Sequence, residues 1–173
     1  PGKTKNFKDF THEFTADMIA VKNKKAVYVT DKASSFPTAP TRVLNASPNY
    51  SAIVKQGVYN INPITGKDDR GPIINGFNCF AVENQNEVLA YYYNGSGDGK
   101  DFNNYSEKDA TNILIHRATN HGGEKLWSTG CITYYDSSIN DHEEHIKFLK
   151  AVGKQNGILV IDRKYALAPF ANK

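Results

Sequence analysis

Cys131 and His116 are the residues of this sequence whose types and spacing could do covalent chemistry. A thiol is a poor nucleophile until a base removes its proton. Cys131 lies in the run Ser128-Thr129-Gly130-Cys131-Ile132-Thr133, and His116 follows the apolar run Ile113-Leu114-Ile115. The spacing predicts a buried strand that ends on His116, a polar glycine-bearing loop, and a tight Gly-Cys turn leading into a second strand. Such an arrangement could bring nucleophile and base together, with His116 as base and later as acid. Gly130 is expected to lack a side chain so that its backbone can approach a substrate closely. Ser128 is expected to order the turn or to bond His116. Arg117, next to the base, could bind a substrate carboxylate or be an exposed strand-end arginine. His121 is the competing base, but a glycine-flanked loop holds an orientation less firmly. The bland alternative is a buried strand cysteine beside a hydrogen-bonded core histidine.

His116 together with Ser128 to Thr133 resembles the active-site signature of L,D-transpeptidases, bacterial cell-wall enzymes. Their pattern is a His, a loop, then Ser/Thr-His-Gly-Cys-Ile/Val-Arg. Thr129 stands where the common form has His, and Thr133 where it has Arg; the loop is also shorter. Ser-x-Gly-Cys-Ile-Thr is similar to a divergent branch that includes toxic effectors delivered by type VI secretion. Gly57-Val58-Tyr59-Asn60-Ile61 is similar to a Gly-x-Tyr/Phe-x-Ile strand of the family, with Lys55-Gln56 replacing its usual Thr-Pro neighbourhood. The resemblance implies acyl transfer through a thioester on Cys131, at the L,D bond of a peptidoglycan stem peptide. His116 would hold the thiolate as an ion pair. N–H groups around Gly130 and Cys131 would face the oxyanion, and Arg117, Thr129 and His121 would contact substrate. An acceptor amine would give a cross-link, water a carboxypeptidase, and a free D-amino acid an exchange. No cofactor and no metal are implied. The implied partners are stem peptides and an immunity or secretion-system protein, in the periplasm or outside the cell.

Two rivals come from other classes. In papain-like wall amidases the cysteine precedes the histidine and starts a helix. Here the order is reversed, and Cys131 leads into Ile-Thr-Tyr-Tyr. A non-catalytic β-rich module could instead bind wall polymers through its ten tyrosines.

At 173 residues, 39% hydrophobic and 23% charged, the chain has material for one globular domain, 1–173. A net charge of +3 is too weak to argue for nucleic acid. No apolar run approaches a membrane span. No leader is evident at Pro1-Gly2-Lys3, so export would use another route, or the sequence is a mature or trimmed fragment. Parity alone allows a Cys79–Cys131 disulfide, which would consume the nucleophile and is not expected.

The elements that must position these residues read as mainly β, a sandwich or distorted barrel with one main C-terminal helix. Strands are expected within 10–21, at 26–30, across 50–61, at 77–82, 87–93, 113–115 and 132–135, and at 158–161 as a central strand. Loops are expected at 34–48, at 63–75 as a solvated turn, and at 94–108 as a wall of the cleft. Ile139, Ile146, Leu149 and Val152 recur at helical spacing, with Ser138 and Asp141 as a capping arrangement and Gly153 or Gly157 as the end. His142-Glu143-Glu144-His145 has its histidines at i, i+3 and no third ligand, so it reads as a solvated helix face rather than a zinc site.

Overall fold

The computed structural model describes residues 16–35, 52–67, 70–93, 105–118, 120–121, 124–125, 128, 130–136 and 141–162. The chain is mainly β with one α-helix among these residues. β1 (Ala16–Lys22) and β2 (Lys25–Ser34) form a hairpin whose turn residues, Asn23 and Lys24, both have positive φ, 51° and 63°. That is the turn geometry that matches the twist of two strands.

The expected single strand across 50–61 is two. β3 (Ala52–Val54) and β4 (Gly57–Ile64) belong to different sheets, and the chain switches between them at Lys55-Gln56. β5 (Cys79–Val82) and β6 (Val88–Tyr93) likewise part company across a 3-10 turn at Glu83–Gln85, where all three residues take positive φ. β7 (Tyr105–Ala110) begins inside the 94–108 stretch expected as loop and runs past its end; residues 94–104 fall outside the described set. β8 (Leu114–Ala118), a two-residue ribbon of β9 (Asn120–His121) and β10 (Glu124–Lys125), and β11 (Ile132–Tyr135) carry the candidate site. The helix α1 (Glu143–Val152) and β12 (Gly157–Ile161) complete the described elements.

Seven strands form one sheet in the order β1-β2-β11-β8-β5-β4-β12, and β3-β6-β7 form a second. Every neighbouring pair is antiparallel except β11 and β8, which are parallel. β12 is therefore an edge strand, not the central one its unbroken apolar run suggests. Its Ile158 and Val160 are 66% and 64% exposed, beside Val58 of β4.

One face of the large sheet presents Tyr28, Phe80, Ile115, Ile132 and Tyr134 to Phe148 and Leu149 of α1, in a core that continues into Val54, Val88, Ala90 and Tyr92 of the small sheet. The rings of Tyr28, Phe80 and Tyr134 meet Phe148 at 4.7–6.0 Å. The sheet is curled, so both edges line a single cavity of about 500 Å³ floored by Phe80, Ile115 and Ile132. This is the distorted-barrel form of the expected architecture.

α1 begins at Glu143, and Gly153 ends it with φ 72° and its N–H on the Leu149 carbonyl at 2.9 Å. His142, not Ser138, occupies the N-terminal boundary; Ser138 lies outside the described residues. The solvated-face reading fails at one residue. His145 is wholly buried and points inward with Phe148 and Leu149.

Candidate active site

Side chains alternate across a strand, and Ile115 and Ile132 both face the helix-covered core. Leu114, His116, Cys131 and Thr133 therefore share the opposite face. Ile132 pairs with Ile115 and Thr133 with His116, and one step back sets Cys131 beside Leu114. Cys131 packs against the small buried cluster formed by Cys79, Ala81 and Leu114. Thiol and imidazole are thus one strand and two residues apart, about 8 Å between Cα atoms from ordinary sheet spacings. His116 is the middle residue of β8 and not its end, and Thr133 of β11 pairs with it.

His116 is 2% exposed, and Cys131 is half-buried. The His116 Nδ1 lies 2.6 Å from the Arg117 carbonyl, which can only accept, so Nδ1 carries the proton. Nε2 is then the proton-accepting atom. The Arg70 Nη1 donates to it at 3.4 Å. Burial, and then the Arg70 guanidinium, pull the His116 pKa down from 6.5 to about 3; the Arg117 carbonyl opposes this, and His145 and Arg117 add to it. That environment disfavours the thiolate–imidazolium pair implied by the resemblance. It favours a neutral imidazole acting as general base on a neutral thiol.

Ser128 orders the turn. Its hydroxyl donates to the Cys131 carbonyl at 2.7 Å and accepts from the Gly130 N–H at 3.2 Å. The Gly130 N–H is thereby committed within the turn instead of facing an oxyanion. Gly130 also lacks a side chain for a reason other than the expected one. A Cβ there would sit 2.9 Å from Ala52 Cβ and 3.2 Å from the Ala52 carbonyl oxygen, so β3 of the second sheet claims the space. Gly130→Ala should cost about 1–3 kcal/mol through overpacking. Adding Ala52→Gly should recover part of it in urea unfolding; no recovery would mean that the strain lies elsewhere.

Arg117 is buried at 7% exposure and projects to the core side, where its register partner is Tyr134. Thr133, where the family pattern has Arg, is wholly buried between His116 and Ser34 in adjacent strands. His121 pairs with Glu124 in the short ribbon, while its side chain and Thr129 lie outside the described residues.

Neither Cys79 nor Cys131 is in a disulfide. β5 and β11 flank β8, and by register Cys79 lies level with His116 while Cys131 lies level with Leu114, which puts their Cα atoms about 12 Å apart from ordinary sheet spacings. A disulfide needs Cα atoms within about 7 Å, so none forms without moving β8.

Comparison with protein-family models, with curated proteins and with solved structures gives no match. The site therefore stands on its own residues. Among the described residues, no three His, Cys, Asp or Glu side chains are grouped to hold a metal, and no helix is long and apolar enough to cross a membrane.

Three residues, Asn78, His145 and Arg70, were not expected beside the site from sequence. Asn78, wholly buried, uses its amide to gather the carbonyls of Gly66, Lys67 and Gly71 at 3.0–3.5 Å, and its Oδ1 accepts from Gly66 N at 2.6 Å. His145 lies 3.1 Å from the Pro72 carbonyl through Nε2 and 2.8 Å from the Tyr134 hydroxyl through Nδ1. The carbonyl can only accept, so Nε2 is protonated and Nδ1 takes the tyrosine hydrogen. These bonds pin the loop expected to be a solvated turn, and that loop delivers Arg70 to His116. Its Gly71-Pro72 pair was the available signal. Gly71 has φ 104°, and a Cβ there would meet Arg117 and His145 within 3 Å.

Burial also lowers the His145 pKa to about 4, opposed by the Pro72 carbonyl and assisted by Arg117. Both His116 and His145 are therefore neutral in the fold, whereas an unfolded histidine titrates near 6.5. Below that pH the unfolded chain binds protons that the folded chain refuses, so stability falls with falling pH. Each histidine contributes a slope of up to about 1.4 kcal/mol per pH unit as pH drops from 6.5 toward its folded value. Urea midpoints should be flat above pH 7 and fall between pH 6.5 and 5. A constant midpoint over that window would contradict the neutral assignment.

Proposed function

We propose that the protein is a cysteine acyltransferase acting on peptidoglycan stem peptides at the L,D bond. The observation that carries this is an accessible Cys131 on the same sheet face as a neutral, strand-held His116, within the Ser128–Thr133 pattern. In the first half-reaction the Cys131 proton passes to His116 Nε2 and sulfur attacks the scissile carbonyl carbon. The intermediate collapses as the imidazolium gives its proton to the departing amine, leaving a thioester. Water, an amino acid or a second stem's amine then attacks the thioester, and the thiol is regenerated. The departure from the common pattern at Thr129 and Thr133 supports the effector-like variant, a toxin that trims or exchanges stems in the periplasm and is held in check by an immunity protein.

The test is incubation with purified sacculi or muropeptides, with products read by mass. Loss of one alanine, a mass swap with an added D-amino acid, or paired stems would each support the reading and name the acceptor. Cleavage in the glycan, or at the glycan–peptide amide, would overturn it.

A further inference from the structure

We propose that the cavity between β1 and β12 is a slot for an extended segment of another polypeptide, apolar on both faces and acidic at its C-terminal end. β1 and β12 are the two outermost strands of the large sheet, and Ala16 to Val21 and Gly157 to Ile161 all line the cavity. Among the described strands each is paired on one side only, β1 with β2 and β12 with β4. Half of their backbone N–H and C=O groups therefore point along the sheet into the gap. Proteins blunt such edges with charges, prolines or bulges. β1 is blunted, because its pairing shifts register near both ends and Asp17 and Lys22 flank its apolar middle. β12 reads Gly-Ile-Leu-Val-Ile in unbroken register, with no charge and no proline.

The surroundings of the gap select the occupant. Met18, Ala20, Leu159 and Ile161 turn inward and pack on the core. Ile19, Val21, Ile158 and Val160 turn outward, each more than half exposed. A strand laid between the two edges has apolar neighbours on both faces. A hydrocarbon ligand would fill the cavity but would bury the backbone groups of both edges without partners, which is unfavourable. An extended peptide pairs them.

Charge gives the occupant a direction. Followed across the sheet, five antiparallel pairs and one parallel join leave β1 running opposite to β12. The end of β1 and the start of β12 thus share one end of the slot. Lys22 lies there, bonded to the Val152 carbonyl at 3.4 Å, with Lys24 and Lys25 in the adjoining hairpin and Lys154 just before β12. Asp17, at the start of β1, and Asp162, after the end of β12, line the other end. Antiparallel pairing is the stronger kind, and β12 is the regular edge, so the segment runs against β12. Its C-terminal end then meets the end that holds the four lysines, where an acidic residue is complementary. The cavity lies on the face of the sheet away from Cys131 and His116, so the slot does not depend on the acyl-transfer reading.

The probe is a fluorescein-labelled peptide, Ser-Val-Ile-Val-Ile-Val-Glu-Glu, titrated with the full chain and read by anisotropy, with amide exchange of the protein read by mass. Saturable one-to-one binding is expected, with the strongest protection from exchange at 16–21 and 157–161. Methylating every second backbone nitrogen of the peptide should weaken binding about a hundredfold, the scale of two to three main-chain hydrogen bonds. Moving the two glutamates to the N-terminus should weaken it about fivefold, the scale of two exposed ion pairs. Lys25→Glu with Lys154→Glu should erase that difference. Ile158→Lys with Val160→Lys changes side chains already in solvent, so it should abolish binding while the urea midpoint stays near the parent value. No binding, or equal binding of the methylated peptide, would overturn the slot. So would dodecanoate that binds there more tightly than the peptide, since the site would then belong to hydrocarbon. If every amide of 157–161 already exchanges slowly in the free monomer, the chain covers the edge itself; if slowly only in a dimer, a second copy does. Either result overturns the proposal.

Discussion

Cys131→Ala is expected to abolish muropeptide processing while the protein still unfolds cooperatively, and Cys79→Ala is expected to stay active. Both sulfurs lie on one face of the sheet, and Cys79 is the nearer to His116 by register, because Phe80 pairs with Ile115 and the next step sets Cys79 opposite His116. Proximity alone would choose wrongly. Cys79 is 1% exposed, capped by Gly66, and its thiol lies 3.8 Å from the Ile64 carbonyl. No carbonyl carbon can reach it. Cys131 is only half-buried, and its thiol lies 3.9 Å from the Asn112 carbonyl. Removing the nucleophile removes the thioester, so the loss in Cys131→Ala should reach the detection limit. Cys79→Ala should show its effect in stability, on the order of 1 kcal/mol from lost packing. An active Cys131→Ala beside a dead Cys79→Ala would reverse the assignment.

His116→Gln is expected to lower the rate by about 10²–10⁴, the range for a positioned acid–base group. Glutamine is chosen over alanine because the Arg117 carbonyl sits 2.6 Å from Nδ1, inside a strand that is fully buried. An amide can still donate to that carbonyl, so the strand keeps its partner while the proton-accepting nitrogen is lost. His121→Ala should stay within a few-fold of the parent rate, and both variants should still unfold cooperatively. A fully active His116→Gln would end the proposal, and a dead His121→Ala beside it would name the replacement base.

The mainly β character, the helix ended by Gly153 and the strands at His116 and just after Cys131 were legible because each has a local cause: a branched apolar run, a helical period or a positive-φ glycine. What escaped was set by distant partners. Tyr105 to Ala110 is polar and reads as loop, yet its backbone is recruited by β6 at the margin of the small sheet. Ile158 to Ile161 is apolar enough for a sheet centre, but the edge is where its pairing with β4 leaves it. Asn78, His145 and Arg70 share no spacing with Cys131 or with one another. Only the folded loop makes a buried carboxamide, an inward-facing helix histidine and a guanidinium parts of one arrangement. The glycine before the cysteine was noticed for its position, but its cause lay in Ala52, on another sheet.

The parallel join between β8 and β11 has a consequence for how the protein comes into being. An antiparallel neighbour can be reached through a tight turn, but a parallel one requires the chain to travel back along the sheet before pairing. Residues 119–131 make that return, with the β9–β10 ribbon inside it. β11 is then locked on its other side by β2, with Thr133 beside Ser34 and Tyr134 beside Ala33, so the closure joins segments about a hundred residues apart in the chain. Such contacts repay their loop entropy only late in folding. While the chain is unfolded its sulfur and imidazole are strangers. They come onto one sheet face only when the middle of the sheet closes, so a chain held unfolded lacks the arrangement altogether.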